Sequence, residues 1–426
     1  MSVRDSPVLH RWNVLGLVRN VAKASRKSDK ATQRDKIQER TDRALRSFYS
    51  KVGVRHGVSP RAFWDGIEQT HGSDFVTELE RSFSVGIEGG KYDLIHRDLE
   101  TAISSFHLTG PLQSAWMSHL RPSELSAKRI LDAGSGWGLV TCFVASCLPE
   151  SEVVGVELSN AGVDCSKELA ERLELSNVKF VQGDLHNFEL DGSFDLALSS
   201  AVFWESVRDD LLPAPDSPVF SDVNSAQGLA AREVAALRNI ANHLTPDGRY
   251  LAAERLSGFR EFYCWLQASK ASGLSWDPGS SSALEFFSDE PETIRVTAFH
   301  LGQADWDLSS ALEWWCETSP ASDAAFEKWL IDSEEISFID GLHLFVEDAY
   351  GPGQTRVYLL EAGDQFVIYQ TTSRGFRGVE GLEPGSTRVE AERQFSDITE
   401  DSKASPEVVG TKRLSRTDFE QDRPVL

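Results

Sequence analysis

The sequence of 426 residues predicts an α/β protein with a mostly parallel sheet, and three observations support this fold class. Short apolar runs alternate with segments of helical periodicity between residues 129 and 254. The first apolar run ends in a turn that has three glycines at alternate positions, and acidic residues follow the next two runs. Strands that alternate with helices form βαβ units, whose parallel strands end at one edge of the sheet. Connections at that edge form the ligand crevice of such proteins.

Residues 130–138, which read Ile-Leu-Asp-Ala-Gly-Ser-Gly-Trp-Gly, are the most informative segment of the chain. Glycine allows a ligand to approach the bare main chain, because it has no Cβ and adopts positive φ at little cost. A helix is predicted directly after the turn, from Leu139 to Leu148. The start of a helix offers unpaired N–H groups and the positive end of a dipole. The segment therefore predicts a ligand-binding turn.

The spacing of the three glycines separates two kinds of ligand. Dinucleotide-binding proteins have the pattern G-x-G-x-x-G, in which the third glycine lets the helix approach the strand closely. Here the third glycine comes one residue early, and Leu139 occupies the last position of that pattern. Asp132, two residues before the first glycine, would repel a pyrophosphate but would suit the ammonium group of an amino acid. The pattern D-x-G-x-G-x-G therefore disfavours a dinucleotide.

The segments after the glycine turn continue the alternation of strand and helix. A second strand is predicted from Glu152 to Val156, and Glu157 follows it, 19 residues after Gly138. A third strand, at 178–182, leads into the sequence Gly-Asp-Leu at 183–185. The further predicted elements are strands at 194–199 and 250–253 and helices at 161–173 and 227–244.

This arrangement resembles the class I S-adenosylmethionine-dependent methyltransferases, and the resemblance covers about residues 105–256. It implies a Rossmann-like methyltransferase fold, α/β, with a seven-stranded, mostly parallel sheet, a helical N-terminal cover and an enlarged C-terminal α+β insert. It also implies S-adenosylmethionine as the cofactor. In this family the acid after the second strand holds both ribose hydroxyls, and the acid after the third strand meets the adenine amino group. The cofactor-binding residues that the resemblance implies are Asp132, Gly134, Ser135, Gly136, Gly138, Glu157, Leu158, Asp184, Leu185 and Ser199.

Several of these residues also have a purely structural interpretation. An acid at the end of a strand often caps a helix or a turn, which is the alternative for Asp184. Ser199 and Ser200 could simply close a strand, and Trp137 could be a packing residue. The cofactor interpretation depends on the common spacing of the whole set, which separate structural roles do not predict.

The acceptor side of the expected site has one candidate catalytic residue. Glu205 follows the fourth strand in the segment Phe-Trp-Glu-Ser-Val and could act as a base or as a substrate ligand. Lipid-modifying members similar to cyclopropane synthases have an acid in a comparable pattern, F-E-H-V, but Ser206 replaces the histidine here. The proline-rich loop at 209–225 is expected to gate the substrate pocket, with a plain surface insertion as the alternative.

Composition and charge limit the class of partner. The net charge of −23 argues against a nucleic-acid substrate, because neutralisation of phosphates dominates that kind of affinity. Residues 1–60 hold 14 Lys and Arg against 5 Asp and Glu, so a basic N-terminal arm could steer a partner or pack on the acidic body. No signal peptide, membrane span or metal-binding pattern is predicted. Five cysteines without a C-x-x-C pair indicate free thiols in a reducing compartment, so a cytoplasmic location is expected.

The expected domain organisation has five parts: a basic flexible arm at 1–35, a helical N-terminal cover at 36–121, a Rossmann-like cofactor-binding core at 122–256, a substrate lid with a closing hairpin at 257–372, and a disordered tail at 373–426. The hairpin that completes the sheet in this family is predicted from Arg356–Glu361 and Gln365–Gln370. The segment before it is rich in tryptophan, which could cage a flat or cationic substrate or fill a small core. These tryptophans are Trp265, Trp276, Trp306, Trp314, Trp315 and Trp329.

The expected function is methyl transfer from S-adenosylmethionine to an O, N or C atom of a small molecule. Methyl transfer is an in-line substitution that depends mainly on alignment, so such enzymes need no common catalytic residue and the sequence does not identify the acceptor. Two alternatives stay open: a regulator or scaffold that binds S-adenosylmethionine without turnover, and a methyltransferase that modifies a protein or peptide. The oligomeric state is open as well.

Overall fold

The computed structural model describes residues 28–54, 60–85, 90–121, 125–203, 231–256, 259–287, 291–303, 306–318, 336–348, 351–362, 365–372, 377–382 and 385–422. Within these ranges the strands form two separate sheets. The strands are β1 Arg129–Ala133, β2 Glu152–Glu157, β3 Val178–Gln182, β4 Phe194–Ser200, β5 Leu244–Glu254, β6 Leu274–Phe287, β7 Pro291–Leu301, β8 Ile336–Asp348, β9 Gly351–Ala362, β10 Gln365–Thr372, β11 Arg377–Gly381 and β12 Val408–Arg413.

Helices precede, separate and follow these strands. They are α1 Ser28–Val52, α2 Pro60–His71, α3 Ser73–Val85, α4 Lys91–Ile95, α5 Leu99–Leu120, α6 Leu139–Cys147, α7 Asn160–Arg172, α8 Ala231–Asn242, α9 Phe259–Ala271, α10 Leu308–Thr318, α11 Arg388–Lys403 and α12 Arg416–Asp422. In the part of the chain that the structure describes, none of these helices has the length and apolarity that crossing a membrane requires.

The larger sheet has seven strands in the order β3-β2-β1-β4-β5-β7-β6. Strands β1 to β5 pair in parallel, whereas β7 lies antiparallel between β5 and β6. Successive side chains of a strand point to opposite faces, so the sheet has a core on each side. On β1, Ile130 packs into the core formed with α5, α6 and α7, and Leu131 packs into the core formed with α8 and α9. The predicted seven-stranded, mostly parallel sheet is therefore confirmed.

The N-terminal cover consists of α1 to α5, and two of its features differ from what local sequence rules predict. Helix α5 continues through Pro111, although proline is typical of the first position of a new helix. A proline inside a helix costs about 3 kcal/mol, but both halves of α5 are buried, with Ala102 and Trp116 each 0% exposed. Burial therefore outweighs the local penalty. Helix α1 begins at Ser28, so the last part of the predicted flexible arm is helical, and residues 1–27 lie outside the described residues.

The closing antiparallel pair of the seven-stranded sheet is β6 and β7, so the prediction of 356–361 and 365–370 for this position is wrong. The sequence Asp-Pro-Gly-Ser-Ser at 277–281 is typical of a turn, so local sequence rules do not predict a continuous strand at the position of β6. The register of β6 against β7 shifts between Asp277 and Ser282, so this segment is an irregularity inside one strand. The predicted hairpin does exist as β9 and β10, but it belongs to the second sheet.

The second sheet has five strands in the order β11-β10-β9-β8-β12 and extends into the predicted disordered tail. The prediction of disorder from residue 373 is wrong for the described part of that tail, which contains β11, α11, β12 and α12. Helix α11 packs Ala391 and Phe395 into a core with β8, β9 and β10. The helix has few apolar residues, which weakens its periodicity, but its capping box of Thr387 and Glu390 is a readable signal.

The tryptophans of the 257–372 segment are core residues wherever the structure describes them. Trp265, Trp276, Trp306, Trp314 and Trp315 are all buried, and Trp329 lies outside the described residues. The Phe262 ring stacks on Trp314 with 5.0 Å between centroids and meets Trp276 edge-on at 5.5 Å. Such pairs add to the stability that burial of aromatic surface supplies. The core interpretation is therefore correct for these five residues, and the cage interpretation is not.

Asn177 connects the loops at the amino-terminal edge of the sheet. Its Nδ2 lies 3.1 Å from the carbonyl oxygen of Ala145 and 3.0 Å from those of Leu148 and Ser151. Replacing Asn177 with alanine is expected to lower the free energy of unfolding by about 1–3 kcal/mol, because these carbonyls lose their donor. Urea denaturation measures the effect, with Asn242→Ala at an exposed helix end as the control. Equal stability of the two variants would contradict the expectation.

Candidate cofactor site

A cavity of about 440 Å³ lies at the carboxyl ends of the parallel strands. Open α/β sheets bind ligands at this edge, where the strand order reverses, and here β1 and β4 are the strands at the reversal. Segments that follow β1, β2, β3 and β4 form much of the wall, and residues of the N-terminal cover and α8 form the rest. The predicted site residues that lie in the wall are Asp132, Gly134, Ser135, Gly136, Glu157, Leu158, Asp184 and Leu185.

The glycine turn has the conformation that its sequence predicts. Gly134, Gly136 and Gly138 all have positive φ, at 78°, 55° and 83°. The N–H groups of Gly134 and Ser135 donate to the carbonyl oxygen of Val156 at 2.9 and 3.0 Å, which ties the turn to β2. Gly138 does not lie in the cavity wall; it caps the start of α6 and so sets the direction of that helix. The turn therefore brings bare main chain to one side of the cavity.

The Glu157 carboxylate lies against this turn at the end of β2. Its Oε2 accepts a hydrogen bond from the N–H of Gly136 at 2.9 Å, and its Oε1 accepts one from the N–H of Ser159 at 2.9 Å. Burial raises the pKa of the Glu157 carboxyl above its usual value, and the backbone hydrogen bonds act in the opposite direction. Each carboxylate oxygen has a second lone pair, so the fixed group can still accept hydrogen bonds from a ligand.

Asp132 lies deeper in the same cavity wall and is 3% exposed. The hydroxyl of Thr141 donates to its Oδ2 at 2.5 Å. Burial raises the pKa of the Asp132 carboxyl to about 6, the Thr141 hydroxyl lowers it, and the nearby Glu157 charge raises it further. A cationic ligand group would favour the ionised form and so compensate for burial. Asp132 is therefore suited to an ammonium group.

Asp184 has both the predicted position and the alternative structural role. It lies in the cavity wall after β3, and its Oδ1 accepts a hydrogen bond from the N–H of His186 at 2.9 Å. The same Oδ1 lies 2.6 Å from Nδ1 of His186, which is also in the wall. Asp184 thus stabilises its own turn and at the same time faces the cavity.

A buried polar group behind the cavity was missed by the sequence analysis. Glu254, the last residue of β5, is 0% exposed and accepts hydrogen bonds from the N–H groups of Val202 at 3.4 Å and Phe203 at 3.2 Å. Ser199, which was expected to bind the cofactor, is 1% exposed, lies outside the wall and hydrogen-bonds the Tyr250 hydroxyl at 2.7 Å. The only sequence signal for Glu254 is an acid at the end of an apolar strand.

Residues of the N-terminal cover and of α8 contribute to the remaining wall. From the cover these are Lys91, Tyr92, Ile95, His96, Ser105, Leu108, Thr109 and Gln113, and from α8 they are Glu233 and Ala236. The glycine turn and the strand-end acids mark only the sheet side of the cavity. The predicted catalytic residue Glu205 and the proline-rich loop at 209–225 lie outside the described residues.

The donor set of the wall fits S-adenosylmethionine. Asp132 is suited to its ammonium group, and Glu157 to its ribose hydroxyls. The Ser135 hydroxyl is buried in the turn and has no hydrogen-bond partner among the described residues. Glycines 134 and 136 leave the main chain accessible beside these groups. The wall therefore offers one carboxylate suited to the ammonium group and another suited to the ribose hydroxyls of an amino-acid-bearing nucleoside.

The sheet order, with a closing antiparallel pair, a glycine turn after β1 and an acid after β2, defines a Rossmann-like methyltransferase fold. Residues 124–259 match the family model described as a methyltransferase domain. Residues 124–259 are therefore a methyltransferase domain similar to the class I S-adenosylmethionine-dependent methyltransferases, whose cofactor is S-adenosylmethionine. The resemblance inferred from the glycine turn and the strand-end acids is confirmed at this level.

Similar proteins of known activity act on different kinds of acceptor. The chain is 33% identical over 129 residues to a release factor glutamine methyltransferase of Vibrio cholerae, and this alignment covers 29% of this chain and 44% of the relative. It is 31% identical over 100 residues to a malonyl-[acyl-carrier protein] O-methyltransferase of Chlorobium phaeovibrioides, covering 23% and 38% of the two chains. It is 24% identical over 187 residues to a tRNA (guanine-N(7)-)-methyltransferase of Cupriavidus pinatubonensis, covering 43% and 67%. The chain spans less than half the length of the first two relatives.

Solved structures of methyltransferases are similar to part of the chain. One is the N-methyltransferase NodS from Bradyrhizobium japonicum in complex with S-adenosylhomocysteine, at 13% identity, with a TM-score of 0.32 and coverage of 46% of this chain and 87% of that chain. Another is a TehB-like methyltransferase from Corynebacterium glutamicum, at 22% identity, with a TM-score of 0.28 and coverage of 41% and 80%.

Proposed function

We propose that this protein transfers the methyl group of S-adenosylmethionine to a small molecule. The observation that carries the proposal is the meeting of Asp132, Glu157 and the glycine turn in one cavity. Asp132 suits an ammonium group and Glu157 suits a pair of hydroxyls, and a sulfonium nucleoside of an amino acid has both. Asp132, Glu157, Ser135 and the glycines of the turn are accordingly proposed to hold the cofactor.

The cofactor supplies an activated methyl group, and the residues of this chain contribute alignment and exclusion of water. Alignment can supply roughly 7–11 kcal/mol of the barrier to such a substitution. The segment Ser200–Phe203 lies in the cavity wall, and Glu254 holds its main chain by two hydrogen bonds. We propose this segment as the acceptor side, and we propose Glu205, two residues further along, as a base or acceptor ligand.

Calorimetric titration of the intact protein with S-adenosylmethionine tests the cofactor proposal. We expect saturable binding with one site, together with formation of S-adenosylhomocysteine when a suitable acceptor is present. An intact, folded protein that produces no heat on titration with S-adenosylmethionine or with S-adenosylhomocysteine would overturn the proposal.

The buried carboxyl of Asp132 predicts that cofactor affinity depends on pH. Because burial raises its pKa to about 6, the free protein holds a proton there below that pH, and an ammonium group requires the ionised form. Affinity for S-adenosylmethionine should therefore fall about tenfold from pH 7 to pH 5. Calorimetry at both pH values measures it, and Asp132→Asn should bind weakly with no such dependence. An equal pH dependence in that variant would assign the titration to another group.

A protein or peptide acceptor is the second candidate, and the similarity to release factor glutamine methyltransferases favours it. Incubation of the protein with cell extract and methyl-labelled S-adenosylmethionine separates the two candidates. Label in a small molecule other than S-adenosylmethionine supports the first proposal, and label in the protein fraction supports the second. The net charge of −23 opposes an RNA acceptor, although one relative acts on tRNA.

A regulator or scaffold without turnover is the third candidate. It predicts binding of S-adenosylmethionine without product, even when extract is present. Formation of S-adenosylhomocysteine that extract stimulates would exclude it. The basic charge of residues 1–60 is the sequence feature that a partner would engage in this case.

A cytoplasmic location is part of the proposal. Cys142, Cys147, Cys165 and Cys264 are free thiols, and all but Cys147 are buried. Free thiols are typical of reducing compartments. Fractionation of cells that produce the protein tests this, and recovery in an oxidising compartment would contradict it.

A further inference from the structure

His96 is the residue at which the N-terminal cover meets the Glu157 side of the cavity. It directly follows α4, lies in the cavity wall and is 5% exposed. A Cβ on Gly162, in the first turn of α7, would lie 3.2 Å from Nδ1 of His96 and 3.0 Å from Cγ of Glu157. The imidazole and the carboxylate therefore approach the same point, and both lie in the wall of one cavity.

Two hydrogen bonds from the α7 segment fix the position of His96. The Ser159 hydroxyl, at the amino-terminal cap of α7, donates to Oδ1 of Asp93 in α4 at 2.6 Å. The thiol of Cys165 donates to the main-chain carbonyl oxygen of His96 at 3.0 Å. Neither bond uses the imidazole, so the docking of α4 positions the ring without occupying its nitrogen atoms.

The chemical state of the imidazole suits a hydrogen bond to a neutral group. Burial lowers the pKa of His96 to about 4, against the opposing effect of Asp93, so the ring is neutral at neutral pH. A neutral imidazole has one donor and one acceptor nitrogen. Its Nδ1 is buried without a hydrogen-bond partner among the described residues, and such a group costs about 1–3 kcal/mol. A hydroxyl group can pair with either nitrogen of the ring.

We infer that His96 is a cofactor-binding residue that contacts the ribose of S-adenosylmethionine from the cover side, opposite the sheet. The inference rests on the proposed function of the cavity and adds a residue to it. Cofactor binding is thereby coupled to the docking of α4 on α7, because the same short helix carries Asp93 and positions His96. The competing role for His96 is packing alone.

The test compares the binding of S-adenosylhomocysteine with that of its 2′-deoxy and 3′-deoxy analogues. Calorimetry gives the three affinities for the wild type and for His96→Ala. We expect His96→Ala to weaken S-adenosylhomocysteine about fivefold, as the loss of one neutral hydrogen bond does. The substitution should weaken the binding of at least one deoxy analogue much less. That analogue lacks the ribose hydroxyl that His96 contacts, so neither the wild type nor the variant can form the hydrogen bond. His96→Asn retains a donor and an acceptor and should keep part of the affinity.

His119→Ala is the matched control. His119 also lies in the cover, and burial also lowers its pKa to about 4, but it stacks on Trp116 and lies outside the cavity wall. Unchanged binding by His119→Ala supports the inference. Equal losses of affinity in His96→Ala and His119→Ala would overturn the inference. So would a loss in His96→Ala that is equal for all three ligands, and either result would leave packing as the role of His96. A wild type that binds none of the ligands would overturn the proposed function itself, whereas wild-type binding that His96→Ala leaves unchanged overturns only the role of His96.

Discussion

Replacing Glu157 with alanine is expected to weaken the binding of S-adenosylmethionine by about a hundredfold. The proposed pair of hydrogen bonds to the ribose is charge-assisted, and each bond contributes about 1.5–3 kcal/mol. The variant also removes the acceptor of the Gly136 and Ser159 N–H groups, so the turn loses one of the hydrogen bonds that hold it. Calorimetry with S-adenosylmethionine and S-adenosylhomocysteine measures the loss. Glu157→Gln keeps one acceptor oxygen and should lose about tenfold.

Glu152→Ala is a control on the same strand. Glu152 is the first residue of β2, at the opposite edge of the sheet, where it pairs with Arg129 at 2.9 Å and with Lys179 at 2.7 Å. Its removal is expected to leave cofactor affinity within about twofold, because a surface ion pair contributes about 0–1 kcal/mol to stability and none of these residues lies in the cavity wall. If Glu157→Ala and Glu152→Ala bind the cofactor equally well, Glu157 does not hold the ribose.

Replacing Gly138 with alanine is expected to lower the free energy of unfolding by about 2–5 kcal/mol. A non-glycine residue with positive φ costs about 1–2 kcal/mol, and overpacking of a core site adds about 1–3 kcal/mol. At Gly138, φ is 83° and a Cβ would lie 2.8 Å from Ser166 and 3.0 Å from the Phe180 ring. Because Gly138 caps α6, the start of that helix has to shift as well, and cofactor affinity should fall with stability.

Gly273→Ala separates the two causes of this loss. Gly273 has the same φ of 83°, but nothing lies within 4 Å of the position of a Cβ there. This variant should lose about 1–2 kcal/mol and retain cofactor affinity, because it reports backbone strain alone. Urea denaturation followed by tryptophan fluorescence measures both variants. Equal losses at the two positions would mean that contacts with Ser166 and Phe180 do not constrain the turn.

The sheet side of the site was predictable because each of its residues has a local cause. Positive φ at 134, 136 and 138 favours glycine for local steric reasons, and the acid after β2 is brought to the turn by the parallel pairing of β1 and β2. The parallel direction of these strands follows from the regular alternation of strand and helix. The closing pair of β6 and β7 could not be predicted from the sequence, because β6 contains a Pro-Gly segment that local rules assign to a turn. Pairing with β7 overrides this local preference.

The sequence by itself determined the class of protein: a glycine turn and two acids at fixed spacing are local features, and they predict the methyltransferase domain that the family model matches. Only the tertiary structure decided which other residues reach the cavity. His96 and Glu233 come from helices distant in sequence, and Glu254 acts through the main chain of a neighbouring segment. Likewise, the Pro111 helix and the ordered region after residue 373 depend on burial against other elements. The reason is physical: backbone conformation is encoded within a few residues, whereas proximity between distant segments is set by packing of the whole domain.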